Sequence, residues 1–246
     1  MAMTAIAHTT ALSGDDRAAF PHAAALAAAS GARLVTIHGN AAAAEASRLP
    51  DAAPLGARWG RPILHQRICH ECCDDVADTV VDAVRKLDPQ LVVAGTHARH
   101  GLAALLSGSV AEAVARNIAA PTLIVPNHLR GFVDAETGAI DLRRVLVPVG
   151  DDADAVRGLA AARALVALAG VPAEIELLRV VRGRIVEAII DEARSREACL
   201  IVMATHGHDG LADALLGSRT EHVVREAGCP VLSVPSPRAG QERRAT

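Results

Sequence analysis

Two stretches of this chain, 91–126 and 200–235, lie on one another without a gap at an offset of 109 positions. The first reads LVVAGTHARHGLAALLSGSVAEAVARNIAAPTLIVP and the second LIVMATHGHDGLADALLGSRTEHVVREAGCPVLSVP, with nearly half of the aligned positions identical. Self-similarity over that length means two copies of one structural unit. Each copy reads as a buried strand, a glycine-containing loop, a helix, and a short apolar strand closed by Pro. The duplication constrains the fold more than any other feature, because one packing solution must serve both copies.

Around the repeat, short apolar runs alternate with Ala-rich helical stretches, the pattern of parallel βαβ units. In the first half, strands are expected at 4–9, 32–39, 63–68, 91–95 and 121–126. DDRAAFPHAAALAAAS leads into a helix interrupted near Pro21, and the Ala-rich stretch after Asn40 reads as helical up to Pro50. Residues 51–62, with their Pro and Gly, read as loop. The run 74–87 places Val76, Val80, Val81 and Val84 on one helical face. A further helix is expected from Ser109. Residues 127–142 have the look of a hairpin with its turn at Glu136-Thr137-Gly138.

The second half restarts with a strand at 143–150, a helix at 153–169 ending at Gly170, a strand at 174–181 and a helix at 185–195. Only RGR separates those last two elements, so this copy lacks about one strand and one helix. The loss is tolerable where the missing strand lies at the rim of its sheet. The expected fold class is α/β, with two tandem doubly wound parallel-sheet domains, the second shortened. The expected boundaries are 1–127, a hairpin-like linker at 128–142, a second domain at 143–236 and a polar, disordered tail at 237–246.

Composition narrows the function classes. Hydrophobic residues make up 51% of the chain but aromatics only 1%, so Ala, Val and Leu must fill the core by close helix-on-sheet packing. A net charge of −3 gives no electrostatic case for nucleic acid or an anionic membrane. No apolar run approaches the length that spans a bilayer. The opening MAMTAIAHTT lacks the features of a secretion signal. Five cysteines, three of them crowded together, argue against a secreted disulfide framework. A cytoplasmic protein is expected.

The repeated loop carries the chemistry. Copy one offers Gly95, Gly108 and Ser109, with Ala98 between them. Copy two offers Gly207, Gly217 and Ser218, with Ala204 at its start and Thr205 and His206 opening the loop. Glycines just after a strand let backbone amides approach an anion, and the helix that starts at the Gly-Ser adds its own unpaired N–H groups and dipole. A plainer use is also open: Ser109 with Glu112, and Ser218 with Glu221, are capping boxes that serve the helices alone.

The pattern G-x-x-G, nine residues, G-S/T between strand and helix resembles the nucleotide-binding signature of universal stress proteins. The chain is similar to a tandem member of that family over almost its whole length. The resemblance implies an adenine-nucleotide α-hydrolase-like fold and an adenine nucleotide, ATP or AMP, as ligand. It also implies a carboxylate near the nucleoside at the end of the first strand. Copy two offers Asp151 and Asp152 after Gly150, and copy one offers His8 and Thr9. Ala98 puts a methyl where phosphates would press on the first loop, so copy two is the better candidate. In the family the last strands of two domains pair across a two-fold axis. Strands 121–126 and 230–235 would do so within this chain, making an intrachain pseudo-dimer, and whole chains can pair further as a homodimer.

Residues 69–73 read CHECC, between a predicted strand and a predicted helix. Cys69, His70, Cys72 and Cys73 are soft ligands with zinc-compatible spacing, and a helix start lowers thiol pKa values. His8, His38 and His97 are expected on the same rim. A lone C-x-x-C is a weak signal, and the competing readings are a redox-reactive thiol or an inert cluster. Cys199 and Cys229 read as packing residues. No nucleophile elbow, metalloprotease helix or Walker lysine is present, and phosphoryl transfer needs charge neutralisation that these loops lack. The expected function is therefore a nucleotide-binding sensor or adaptor rather than an enzyme. The alternatives are a zinc- or thiol-based sensor that has lost nucleotide binding, and a slow ATP hydrolase.

Overall fold

The apolar runs become strands of one sheet. The computed structural model describes residues 4–12, 16–39, 48–70, 75–96, 110–180, 184–204 and 218–235. In chain order the elements are β1 (Ala5–Thr9), α1 (Asp16–Ser30), β2 (Arg33–Gly39), α2 (Ala53–Trp59), β3 (His65–His70), α3 (Val76–Leu87), β4 (Leu91–Thr96), α4 (Val110–Asn117) and β5 (Thr122–Pro126). The second half follows with β6 (Arg144–Val149), α5 (Asp152–Ala169), β7 (Glu174–Arg179), α6 (Ile185–Ser195), β8 (Leu200–Ala204), α7 (Ser218–Glu226) and β9 (Val231–Val234).

The strand order is β3-β2-β1-β4-β5-β9-β8-β6-β7. Every pairing is parallel except β5–β9. The second half has no counterpart of α2 and β3, and β3 is the outermost strand of the first half. The shortened copy therefore lacks the counterpart of a rim strand, the condition under which the sequence made the loss tolerable. The β5–β9 seam sets Thr122, Leu123 and Ile124 opposite Ser233, Leu232 and Val231. Subtracting the repeat offset of 109 turns 233, 232 and 231 into 124, 123 and 122, so the register is its own two-fold image centred on the Leu123–Leu232 pair.

The two faces of the sheet are packed differently. On one face a single core runs across both halves, from Ile6, Leu34 and Val93 through Phe132 and Leu142 to Val147, Leu200 and Leu232. Helices α1 and α5 meet each other there. Their small side chains allow it: Ala19, Ala23, Ala24, Ala25 and Ala27 of α1, and Ala162 and Ala169 of α5, are all buried. On the other face the core splits into a cluster under α3 and α4 and a second under α6 and α7.

Several helix ends follow from local chemistry. Asp75 caps α3 by accepting from the Ala77 and Asp78 N–H groups at 2.7 and 3.3 Å. Asp151 caps α5 by accepting from Asp154 N–H at 2.8 Å. Two expectations fail here. Helix α1 runs through Pro21 without interruption; the ring sacrifices one hydrogen bond, and burial of the alanine face outweighs it. The stretch 51–62 is not all loop, because α2 occupies Ala53–Trp59. Asp51 accepts from Ala53 N–H at 3.0 Å, Pro54 sits in the first turn and Gly60 closes the helix. The Ala-rich stretch 40–47 and the tail from 236 lie outside the described residues.

The connection between halves is a tight turn fastened to α1 and α2. Val133 and Ile140 form an antiparallel bridge. The Asp134 carboxylate accepts from Glu136 and Thr137 N–H at 2.9 and 3.0 Å. The Trp59 indole donates to the Ala135 carbonyl at 3.3 Å. Gly138, at φ 69°, lies so close under Trp59 that a Cβ would sit 2.4 Å from its Cδ2. Gly138→Ala is therefore expected to cost about 2 kcal/mol, from the left-handed backbone and displacement of the half-exposed indole. Urea unfolding with unchanged m-value would measure it.

Candidate functional site

A doubly wound sheet leaves a crevice where chain progression reverses direction along the strand order, outside the carboxyl ends of the strands. In the first half the chain moves from β1 outward to β2 and β3, then returns to β4 on the other side of β1. The reversal lies between β1 and β4, where Thr9 is level with Ala94. In the second half it lies between β6 and β8, with Leu146 level with Ile201. The strands before the two repeated loops, β4 and β8, thus end at these reversal points. The helices that follow the loops begin at Val110 and Ser218.

The sequence-expected residues divide accordingly. Gly95 lies in β4, beside Thr96 at the strand end. Ser218 is the first residue of α7. His97, Gly108, Ser109, Thr205, His206, Gly207 and Gly217 lie outside the described residues, as do Cys72 and Cys73.

Asp151 stands at the end of β6, but its carboxylate is engaged in capping α5. Behind it, Asp154 is buried and paired with Arg157 at 2.6 Å. Asp152 is exposed and lies 3.6 Å from Arg179, the last residue of β7. The rim of the second half therefore carries three carboxylates and two guanidinium groups within a few residues of the reversal point. The sequence reading omitted Arg157 and Arg179. Their signal was available: a cation at the carboxyl end of a strand and another on the first turns of the following helix.

The first half is built differently at the same rim, with His38 level with Cys69 and Gly39 level with His70. His38 is buried and its Nδ1 donates to the Thr10 carbonyl at 2.8 Å. His8 does not join them. It is fully buried, packs on Phe20 at a ring separation of 5.2 Å, and belongs to a polar chain deeper in the sheet. In that chain Ala52 N–H donates to His65 Nδ1 at 3.2 Å, which leaves the proton on Nε2. His65 Nε2 then donates to Thr36 Oγ1 at 2.9 Å, and the hydroxyl donates to His8 Nδ1 at 3.4 Å. Burial holds the His65 imidazole below the usual histidine range, against the opposing pull of Asp51, so the neutral ring this chain needs is favoured.

Among the described residues no group of three or more His, Cys, Asp and Glu is placed to hold a metal. Cys69 and Cys199 are half-buried. Cys199 lies just before β8. Cys229 is buried, and burial pushes its thiol up to about 12, which makes it a packing residue. Among the described residues no helix is long and apolar enough to cross a membrane.

The strand order and its two reversal points define a Rossmann-like α/β protein built from two related halves on one sheet. The universal stress protein family model matches residues 6–126 and 143–235, and the chain belongs to that family. A universal stress protein of Thermus aquaticus is 48% identical over 68 residues, covering 28% of this chain and 48% of that protein. One from Synechocystis is 27% identical over 148 residues, 51% of this chain and 50% of that protein. The chain thus spans about half the length of these curated relatives. Among solved structures, a universal stress protein from Archaeoglobus fulgidus superposes with a TM-score of 0.61 at 17% identity, covering 94% of this chain and 96% of that one. A functionally unknown protein from Pseudomonas aeruginosa PAO1 gives 0.60 at 15% identity, with 95% and 93% covered. These structural likenesses concern the fold.

Proposed function

We propose that the chain binds an adenine nucleotide, ATP or AMP, at the rim of its second half and acts as a nucleotide-responsive stress adaptor in the cytoplasm rather than as a catalyst. The observation that supports this reading is that β8, the strand the repeated glycine loop follows in sequence, pairs with β6 at the reversal point of the second half. Family membership supports the same ligand class. Amides of the loop from Thr205 and His206 through Gly207 to Gly217, and the α7 start, would take the phosphates. Arg157 and Arg179 offset the carboxylates that would otherwise repel them. In this reading the halves divide at residues 128–142, and the β5–β9 seam is the internal equivalent of a dimer contact. The first half, with Ala98 in its loop and no carboxylate at the end of β1, is the weaker nucleotide site.

The test is direct. Purified protein is denatured, and the supernatant is analysed for adenine nucleotide and for zinc; ATP and AMP are then titrated onto stripped protein. Gly217→Val is expected to weaken nucleotide binding about a hundredfold, because a branched side chain closes the approach to the loop amides. Absence of any nucleotide binding, with zinc found in the wild type and lost in Cys69→Ser, would replace this reading by a metal- or thiol-based sensor. Steady ATP turnover would replace it by an enzyme.

A further inference from the structure

The loss of one rim strand leaves β7 as the outer edge of the second half, whereas its first-half counterpart β2 is covered by β3. The hydrogen bonds from Glu174 N–H to the Arg143 carbonyl and from Val180 N–H to the Val149 carbonyl show which groups point inward. By strand alternation Ile175, Leu177 and Arg179 direct their N–H and C=O groups outward. No described residue pairs with that edge. Leu177 is 50% exposed beside it, one of few large apolar side chains so placed. The opposite rim of the sheet is guarded by the exposed Gln66 and Arg67 of β3, the usual protection of an edge. Glu174 and Arg179 guard only the two ends of β7, and Glu176 is tied to Arg196, so the centre of the edge at the exposed Leu177 is left open to an occupant.

We infer that β7 is a self-pairing edge, which receives β7 of a second copy of this chain in an antiparallel, two-fold ladder centred on Leu177. The register follows from charge and backbone. With Leu177 opposite Leu177 of the second copy, Ile175 faces Arg179 and Glu176 faces Leu178, so all three outward residues of each strand are used, giving about six ladder hydrogen bonds. Centring on Glu176 instead sets like carboxylates directly opposite each other, and centring on Ile175 sets Glu174 against Glu176 twice; both are unfavourable. Centring on Leu178 leaves Ile175 outside the ladder.

In the preferred register each Glu176 keeps its pairing with Arg196, and the Arg179 groups sit at opposite ends of the ladder. The chain already contains one seam of this kind, with Leu123 opposite Leu232 between β5 and β9. The chain's own tail is a poor competitor for the edge, since SPRAGQERRAT has no large apolar residue to cover Leu177. A two-fold contact closes on itself and stops at the dimer. So short a strand pair suits a transient, micromolar association rather than a permanent one. The contact lies on a different edge from the seam between the halves and does not depend on nucleotide.

Sedimentation velocity on the full chain tests it. Between about 1 and about 100 µM the wild type is expected to pass from monomer toward dimer. Leu177→Lys and Leu177→Glu are each expected to weaken self-association at least about tenfold, because like charges then meet at the two-fold axis. An equimolar mixture of the two variants is expected to restore the dimer, which an unfolded variant cannot do. A wild type that stays monomeric throughout that range, whatever strand of another protein it captures, overturns the inference. So does a dimer that survives both substitutions.

Discussion

Between pH 6.5 and pH 4 the protein is expected to lose about 3 kcal/mol of folding stability, most of it through His22. This imidazole is buried between α1 and the connection to the second half. Its Nδ1 donates to the Ala18 carbonyl at 2.6 Å and its Nε2 accepts from Phe132 N–H at 3.1 Å. The Phe132 bond requires the neutral ring, because a proton on Nε2 would face another N–H, whereas Nδ1 donates to Ala18 in either state. Burial lowers the His22 pKa from 6.5 to about 4, with the Ala18 bond opposing. In that window the unfolded chain binds a proton that the folded chain refuses, so stability falls as pH falls. Above 6.5 both states are neutral, and below about 4 both are protonated, so the effect is confined to the interval. His65, held low by its own burial, acts in the same direction.

His22→Gln keeps an acceptor and a donor at comparable reach without a titrating group. Its stability is expected to vary much less over the same interval. Urea unfolding at several pH values would decide it, and a variant as acid-sensitive as the wild type would exclude His22 as the source.

Which parts of this arrangement the sequence revealed depended on whether the signal was periodic or positional. The repeat and the alternation of Val-rich runs with alanine helices made the parallel α/β class and the shortened second copy legible, because each copy repeats one βαβ pattern. The same periodic reading passed over α2, since Pro54 and Gly60 were read as loop formers. Their positions, Pro just inside the start and Gly just past the end with Asp51 before them, are those of a helix. Pro21 misled in the opposite direction: the buried alanines on either side of it, Ala18 and Ala19 before and Ala23 to Ala25 after, hold α1 together across it.

At the site, Cys69 and His38 were expected on one rim and are level in adjacent strands. His8 was expected there too, yet it lies in the Thr36–His65 chain, because side-chain partners in a sheet come from strands far apart in sequence. The deeper consequence of the duplication was also hidden. With only two Phe and one Trp in the chain, all three gather on the face shared by both halves. Phe20 comes from α1, Trp59 from α2 and Phe132 from the connection. Trp59 and Phe132 are used at the connection between the halves, while Phe20 packs on His8 and His65 within the first half.

That concentration makes the connection the most sensitive point of the fold. Gly131→Ala is expected to destabilise the protein by about 4 kcal/mol, more than any surface change could. Gly131 has φ 68°, and a Cβ there would lie 2.3 Å from His22 Nε2 and 3.3 Å from Pro230 Cγ. The imidazole cannot retreat easily, since it is packed edge-on against Phe132 at a ring separation of 4.6 Å. Displacing it would strip the buried Phe132 N–H of its acceptor, and the left-handed backbone would be strained as well. His22→Ala alone is expected to cost about 3 kcal/mol by opening a cavity and orphaning the same N–H. In the double variant the new methyl enters the space the imidazole has left, so the two costs should not add. A combined loss about 2 kcal/mol smaller than their sum is expected. Simple additivity in urea unfolding would mean that the contact between Gly131 and His22 does not govern how the two halves are joined.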